Sequence, residues 1–276
     1  MMHPELPKFL LDTNSQTAVL FIHGLGGSYT TWNNFSTKLN KDWKEKDSFA
    51  LEYDDYYTST KKIFVYTFVV KNIFGNSIDN LARHLETFIN TVCEKYKNII
   101  LVCHSMGGLV ARKYLINKLN KDRDIGKVKA LITYATPHHG STIANISKTI
   151  FHSPISILSF GSLRLFTQIK DLSKNGKFIQ NLNSEWSKLN VSSKIDFYRV
   201  AGLSDWVVNE ESASFEFDKN AFPCANKDHF SIIKPHPYIN DIALYVTYNY
   251  LKKFNETQLQ NEQLEEEYPE DNDWDY

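Results

Sequence analysis

Ile99-Ile100-Leu101-Val102-Cys103 is an unbroken apolar run, and the chain passes from it through His104-Ser105-Met106-Gly107-Gly108 straight into the helical pattern of Met106 to Leu119. A strand without polar alternation is buried on both faces, as happens in parallel sheets covered by helices on each side. So short a junction between such a strand and a helix constrains the fold more than any other feature of the chain.

The rest of the sequence repeats the theme. Thr17 to Ile22 reads as a strand and runs into His23-Gly24-Leu25-Gly26-Gly27; Phe49 to Tyr53 reads as a second. Val128 to Tyr134 ends in Ala135-Thr136-Pro137-His138-His139-Gly140, and Ile195 to Ala201 ends at Gly202. Between them, Ile78, Leu81, Ala82, Leu85, Phe88, Ile89, Val92 and Tyr96 fall at helical spacing, as do Phe178, Leu182, Trp186 and Leu189. Pro237 suits a helix start, and Ile239, Ile242, Ala243, Val246, Tyr250 and Phe254 continue that helix. The pattern predicts an α/β fold: a mostly parallel central sheet with helices on both faces. In such sheets chemistry gathers past the carboxyl ends of the strands, and 23–27, 104–108, 135–140 and 202–205 all lie there.

The 276 residues suit one domain with a full core and an insertion. Residues 255–276 hold nine acidic and no basic side chains, which leaves 31 basic against 23 acidic in 1–254. The domain is therefore read as 1–254, followed by an acidic, disordered, solubilising tail. The modest positive balance of the body is weak attraction for anionic lipid and gives no reason to expect nucleic acid. Cys93, Cys103 and Cys224 form neither a disulfide framework nor a zinc motif and fit a reducing, cytoplasmic setting. The N-terminus lacks a signal-peptide pattern. The longest apolar stretch, Ile63 to Val70, falls far short of the ~20 residues of a membrane span. The expectation is a soluble protein that can rest on a membrane.

Ser105 on a tight strand-to-helix turn has two readings. As an N-cap it would accept a hydrogen bond from the first turn of the helix. As a nucleophile it would sit in a strained conformation that lifts its hydroxyl clear of the sheet, with Gly107 removing a clash and Cys103 standing where such turns usually have glycine. The His-Gly loop upstream favours the nucleophile. The tetrahedral oxyanion of acyl transfer then needs two backbone donors, for which Met106 N–H and Leu25 N–H are the candidates.

A base and an orienting acid should follow in chain order. His229, in Lys227-Asp228-His229-Phe230-Ser231, is the candidate base; His236, between two prolines, reads as a helix cap, and His104, His138 and His139 read as structural. Asp205, past a strand end in Gly202-Leu203-Ser204-Asp205, is the candidate acid, with Glu210 in reserve.

With these motifs in hand the chain resembles the α/β-hydrolase serine esterases and lipases, in the group that contains GPI inositol-deacylase-like and mitochondrial serine-active-site-protein-like members. The resemblance runs along most of 17–250 and rests on Phe21-Ile22-His23-Gly24-Leu25-Gly26-Gly27, His104-Ser105-Met106-Gly107-Gly108, Ala135-Thr136-Pro137-His138-His139-Gly140-Ser141, Gly202-Leu203-Ser204-Asp205 and Asp228-His229-Phe230-Ser231-Ile232. Cys103 departs from it, and so does Asn209, which stands where proline is frequent. The resemblance implies hydrolysis of carboxylic esters of acyl or lipid character through an acyl-enzyme, without a cofactor. Two apolar segments, Ile150 to Phe166 within an insertion at about 143–190 and Ile63 to Phe74, are expected to form an acyl-binding cap with peripheral membrane contact. A thioesterase or acyltransferase on the same triad, and a non-catalytic interaction protein of this fold, are the alternatives.

Overall fold

The computed structural model describes residues 16–25, 27, 29–40, 61–66, 77–141, 172–174, 176–215, 219–236 and 241–267. The expected strand at Phe49 to Tyr53 and the apolar stretch Ile150 to Phe166 lie outside them. Among the described residues six strands, β1 (Thr17–Ile22), β2 (Lys61–Tyr66), β3 (Asn98–His104), β4 (Val128–Tyr134), β5 (Asp196–Gly202) and β6 (Ala221–Cys224), form one sheet in the order β2-β1-β3-β4-β5-β6. Every pairing is parallel. Strand order reverses after β1, whose neighbours are β2 and β3, so the crevice of a topological switch point opens between the ends of β1 and β3.

The α-helices of the described residues are α1 (Asn33–Asn40), α2 (Ile78–Thr91), α3 (Met106–Asp122), α4 (Lys177–Lys188), α5 (Glu210–Ser214) and α6 (Ile242–Glu267). They divide the core into two layers. Ala18, Leu20 and Ile22 of β1 face a cluster with α2, α3 and α4, whereas Val19 and Phe21 face one with α1 and α6. Side chains that alternate faces are thus apolar on both, which is why the strands read as unbroken runs. On the second face Trp32 lies 4.9 Å from Phe21 and 5.3 Å from Phe35, and Phe35 lies 5.4 Å from Tyr134. Burying each such ring contributes about 1.5–3 kcal/mol.

Four expectations are corrected here. Lys61–Tyr66 is a strand of the sheet, the outermost on its side among the described residues and in register with β1, not part of a cap; an apolar run this short has no period of its own, and a parallel neighbour decides its fate. α4, which falls inside the insertion expected at 143–190, packs Ile179, Leu182 and Trp186 into the α2–α3 core layer. The last helix starts at Ile242, not Pro237: Asp241 caps it, accepting from Ala243 N at 3.1 Å through Oδ1, while His236, expected to cap, donates its N–H to Asp241 Oδ2 at 3.1 Å. That helix also runs on through the acidic stretch to Glu267. Gln, Glu and Leu are good helix formers, and extending a helix whose first half is already packed costs far less than nucleating one.

Candidate active site

The sheet register sets the site. Ile22 pairs with Cys103, His104 with Tyr134, Tyr134 with Val200, and Gly202 with Cys224. The loops that follow therefore emerge along one edge, and side chains distant in sequence meet there.

Ser105 joins β3 to α3 with φ 53° and ψ −128°. A side-chain-bearing residue pays about 1–3 kcal/mol for such a conformation, and the surroundings hold it: Ser105 N–H donates to Tyr134 O at 2.9 Å. Ser105 makes no side-chain cap bond to its helix, so the N-cap alternative does not describe its hydroxyl. The oxygen instead faces His229 Nε2 at 3.1 Å. A Cβ on Gly107 would lie 2.7 Å from the carbonyl oxygens of Ile22 and His23, and one on Gly24 would lie 2.7 Å from Ser105 Cβ. The turn and the His-Gly loop thus touch backbone to backbone, which glycine alone permits. Cys103, buried, turns into the α2–α3 layer.

His229 Nδ1 lies 2.9 Å from Asp205 Oδ2, and the two side chains are 1% and 0% exposed. A carboxylate only accepts, so Nδ1 carries the hydrogen and Nε2 presents its lone pair to Ser105 Oγ–H. Asp205 Oδ1 accepts from Val207 N at 2.8 Å and Val208 N at 2.9 Å, which fixes the carboxylate. His229 rides on a turn closed by Asp228, whose Oδ1 accepts from Phe230 N at 2.9 Å and Ser231 N at 2.7 Å. Lys227 Nζ braces the same loop from Ser231 O at 3.1 Å, Lys234 O at 3.2 Å and Asp241 Oδ2 at 2.5 Å. Asp205 and His229 come from loops after β5 and β6, and Glu210, the reserve acid, opens α5 instead. Asn209 caps that helix, accepting from Ser212 N at 3.2 Å, a role open to it and closed to the frequent proline.

Met106 is the first residue of α3, so its N–H has no partner within the helix. Leu25 follows Gly24, whose carbonyl faces His23 Nδ1 at 2.8 Å and accepts from Gly27 N at 3.2 Å. Three buried histidines surround this machinery. Burial lowers the pKa of His23 to about 4, and burial followed by the charge of neighbouring His229 holds His104 well below the usual range. His104 Nε2–H donates to His229 O at 2.7 Å, a support that adjacency to Ser105 had hidden. Burial, then the nearby guanidinium of Arg112, keeps His138 neutral. Its Nδ1 accepts from Arg112 at 3.2 Å and its Nε2–H donates to Thr133 Oγ1 at 3.1 Å. His138 is thus a loop-shaping residue, as its sequence position suggested. Among the described residues no three or more of His, Cys, Asp and Glu gather in a group that could hold a metal ion.

Comparison with solved structures places this architecture. The mature lipase BlEst2 of Bacillus licheniformis superposes with a TM-score of 0.60 at 17% identity, covering 84% of this chain and 94% of that one. MGS-MChE2, an alpha/beta hydrolase enzyme from a lagoon-sediment metagenome, gives 0.59 at 14%, covering 92% and 98%. The fold is that of the α/β-hydrolases. Within that class the chain belongs to the PGAP1-like alpha/beta domain family, whose profile matches residues 13–155, just over half of its length. Human protein SERAC1 is 26% identical over 264 residues, 83% of this chain but 38% of that protein. Danio rerio SERAC1 is 24% identical over 206 residues, 65% of this chain and 29% of that protein. The chain thus spans well under half the length of these relatives.

Proposed function

We propose that this protein is a serine esterase acting on carboxylic esters of acyl or lipid character. The observation that carries the reading is the continuous line Ser105 Oγ–His229 Nε2 at 3.1 Å and His229 Nδ1–Asp205 Oδ2 at 2.9 Å, on a hydroxyl held in a strained turn. In this mechanism Ser105 Oγ attacks the ester carbonyl while His229 Nε2 takes its proton. Asp205 holds the imidazole in the required tautomer and stabilises the imidazolium that forms. The oxyanion is received by the N–H groups of Met106 and Leu25, aided by the N-terminal end of α3. His229 then gives its proton to the leaving alcohol, and water reverses the sequence to release the acid.

Leu203 and Trp206, 50% and 40% exposed on either side of Asp205, give this edge an apolar rim that suits an acyl chain. No helix among the described residues is long and apolar enough to cross a membrane.

A fluorophosphonate probe should label the wild-type chain and leave Ser105→Ala unlabelled. p-Nitrophenyl esters from acetyl to dodecanoyl should be hydrolysed with preference for the longer chains. An unlabelled wild type removes the serine nucleophile; sharp preference for acetyl removes the lipid-like substrate class.

A further inference from the structure

The Ser-Met-Gly-Gly turn contains one glycine more than the turn itself requires, and the loop after β4 contains a strained alanine. A single side chain, Thr136, accounts for both. A Cβ on Gly108 would stand 2.2 Å from Thr136 Oγ1 and 2.7 Å from its Cγ2, so glycine at 108 makes the room that Thr136 fills. Ala135 takes φ 47°, a left-handed conformation unfavourable for any residue with a Cβ. That turn carries the chain from β4 beneath the first turn of α3, where Thr136 is wholly buried. There Thr136 Oγ1 donates to the Ser105 carbonyl oxygen at 3.0 Å. The Gly108 N–H donates to the same oxygen, also at 3.0 Å.

The Ser105 carbonyl and the Met106 N–H belong to one peptide unit. The unit is planar and trans, so the two groups point in opposite directions, and whatever grips the oxygen aims the N–H. We propose that Thr136 is a positioning residue of the oxyanion hole: by holding the Ser105 carbonyl from beneath, it fixes the direction of the Met106 N–H. The role rests on the serine-esterase reading. Thr136 touches no substrate; it acts through the peptide plane. Such a brace matters because Ser105, on the N-terminal side of that plane, sits at φ 53° and ψ −128°, from which an unrestrained chain relaxes. An oxyanion donor stabilises the transition state most when it is already aimed before charge develops. The second candidate donor is held the same way, because the carbonyl of the Gly24–Leu25 peptide is gripped by His23 Nδ1–H at 2.8 Å and Gly27 N–H at 3.2 Å.

The test compares Thr136→Ala, Thr136→Val and Thr136→Ser with wild type in the full chain. Two probes are used: p-nitrophenyl butyrate, and a trifluoromethyl ketone that Ser105 would convert to a hemiketal oxyanion. Thr136→Ala and Thr136→Val should lower kcat about tenfold with KM nearly unchanged, and weaken ketone binding by a similar factor. Thr136→Ser keeps the hydroxyl and should recover turnover to within about threefold of wild type. Thr136→Val preserves volume, so the comparison survives if the alanine variant loosens the fold. Fluorophosphonate labelling of wild type against Ser105→Ala runs alongside. An unlabelled wild type defeats the serine nucleophile and this role with it. A labelled wild type whose alanine and valine variants turn over the ester and bind the ketone normally overturns the role of Thr136 alone. A serine variant as impaired as the alanine variant, or lost kcat with ketone binding kept, also overturns it, since either marks damaged packing rather than a misaimed donor.

Discussion

Ser105 sits between β3 and α3, two elements whose core-facing residues are almost all buried, whereas Asp205 and His229 sit on loops past β5 and the four-residue, half-exposed β6. The proposed nucleophile is placed mainly by backbone: a forced φ, close glycine contacts and an N–H bonded to the Tyr134 carbonyl. The proposed base and acid are placed by side-chain hydrogen bonds: Lys227 on two carbonyls, His104 on the His229 carbonyl, Asp228 closing the turn, and the Asp205 carboxylate on two backbone N–H groups. A backbone-built half resists single side-chain changes away from its turn and from the Thr136 hydroxyl beneath it. A hydrogen-bonded half should fail one bond at a time.

The largest effect expected on that basis is at Asp205. Asp205→Asn keeps the shape but no longer secures the Nδ1–H tautomer, and kcat on a p-nitrophenyl ester should fall about 10³-fold or more; a loss below about tenfold would show that the loop alone orients His229. Next comes acid, which should strike the nucleophile side. His23 and His138 follow β1 and β4, His104 ends β3, and burial lowers the pKa of each, that of His23 from 6.5 to about 4. The unfolded chain binds these protons as the pH falls through about 6.5, and the folded chain does not until well below it. Their neutral burial therefore costs no stability above that pH and an increasing amount below it, at up to about 1.4 kcal/mol per pH unit for each histidine. Denaturant titrations at about pH 7 and pH 5.5 should differ by roughly 3–4 kcal/mol.

Lys227→Met leaves the Asp241 carboxylate, 2% exposed, without its ion-pair partner. It should cost about 3 kcal/mol by chemical denaturation, with slower fluorophosphonate labelling as the His229 loop loosens. The smallest effect is at His104. His104→Phe keeps an aromatic ring but removes the donor to His229 O, worth about 1 kcal/mol, so kcat should drop about fivefold at constant KM. Wild-type kcat would mean that Lys227 and Asp228 suffice to hold the loop.

What could be read from sequence follows the same division. β3, the turn at Ser105 and α3 are written in contiguous residues, so pattern alone located them. The pairing of Asp205 with His229 was legible only because chain order set aside the histidines up to Ser105, and the readings of His138 and His139 as loop-shaping and of His152 as part of the insertion left His229 and His236. Their supports were hidden, since the reach of Lys227 to Asp241 or of His104 to His229 O depends on tertiary contact. β2 was misread because a lone apolar run does not say what lies beside it. α2 was drawn too long for a related reason: Val92 fits the helical period, yet the helix closes at Thr91 and leaves Val92 37% exposed. Asp241 was overlooked as a helix start because Pro237 gave the stronger local signal.

The bond between Ser105 and His229 spans 124 positions of sequence. On a ribosome adding about 5–20 residues per second, roughly six to twenty-five seconds separate the two residues. Once Tyr134 has been added, β1, β3 and β4 can assemble around the hydroxyl, but the His229 imidazole that would draw off its proton does not yet exist. A nascent chain would therefore carry a shaped yet silent centre, and reactivity would arrive in one step when the segment after β6 docks.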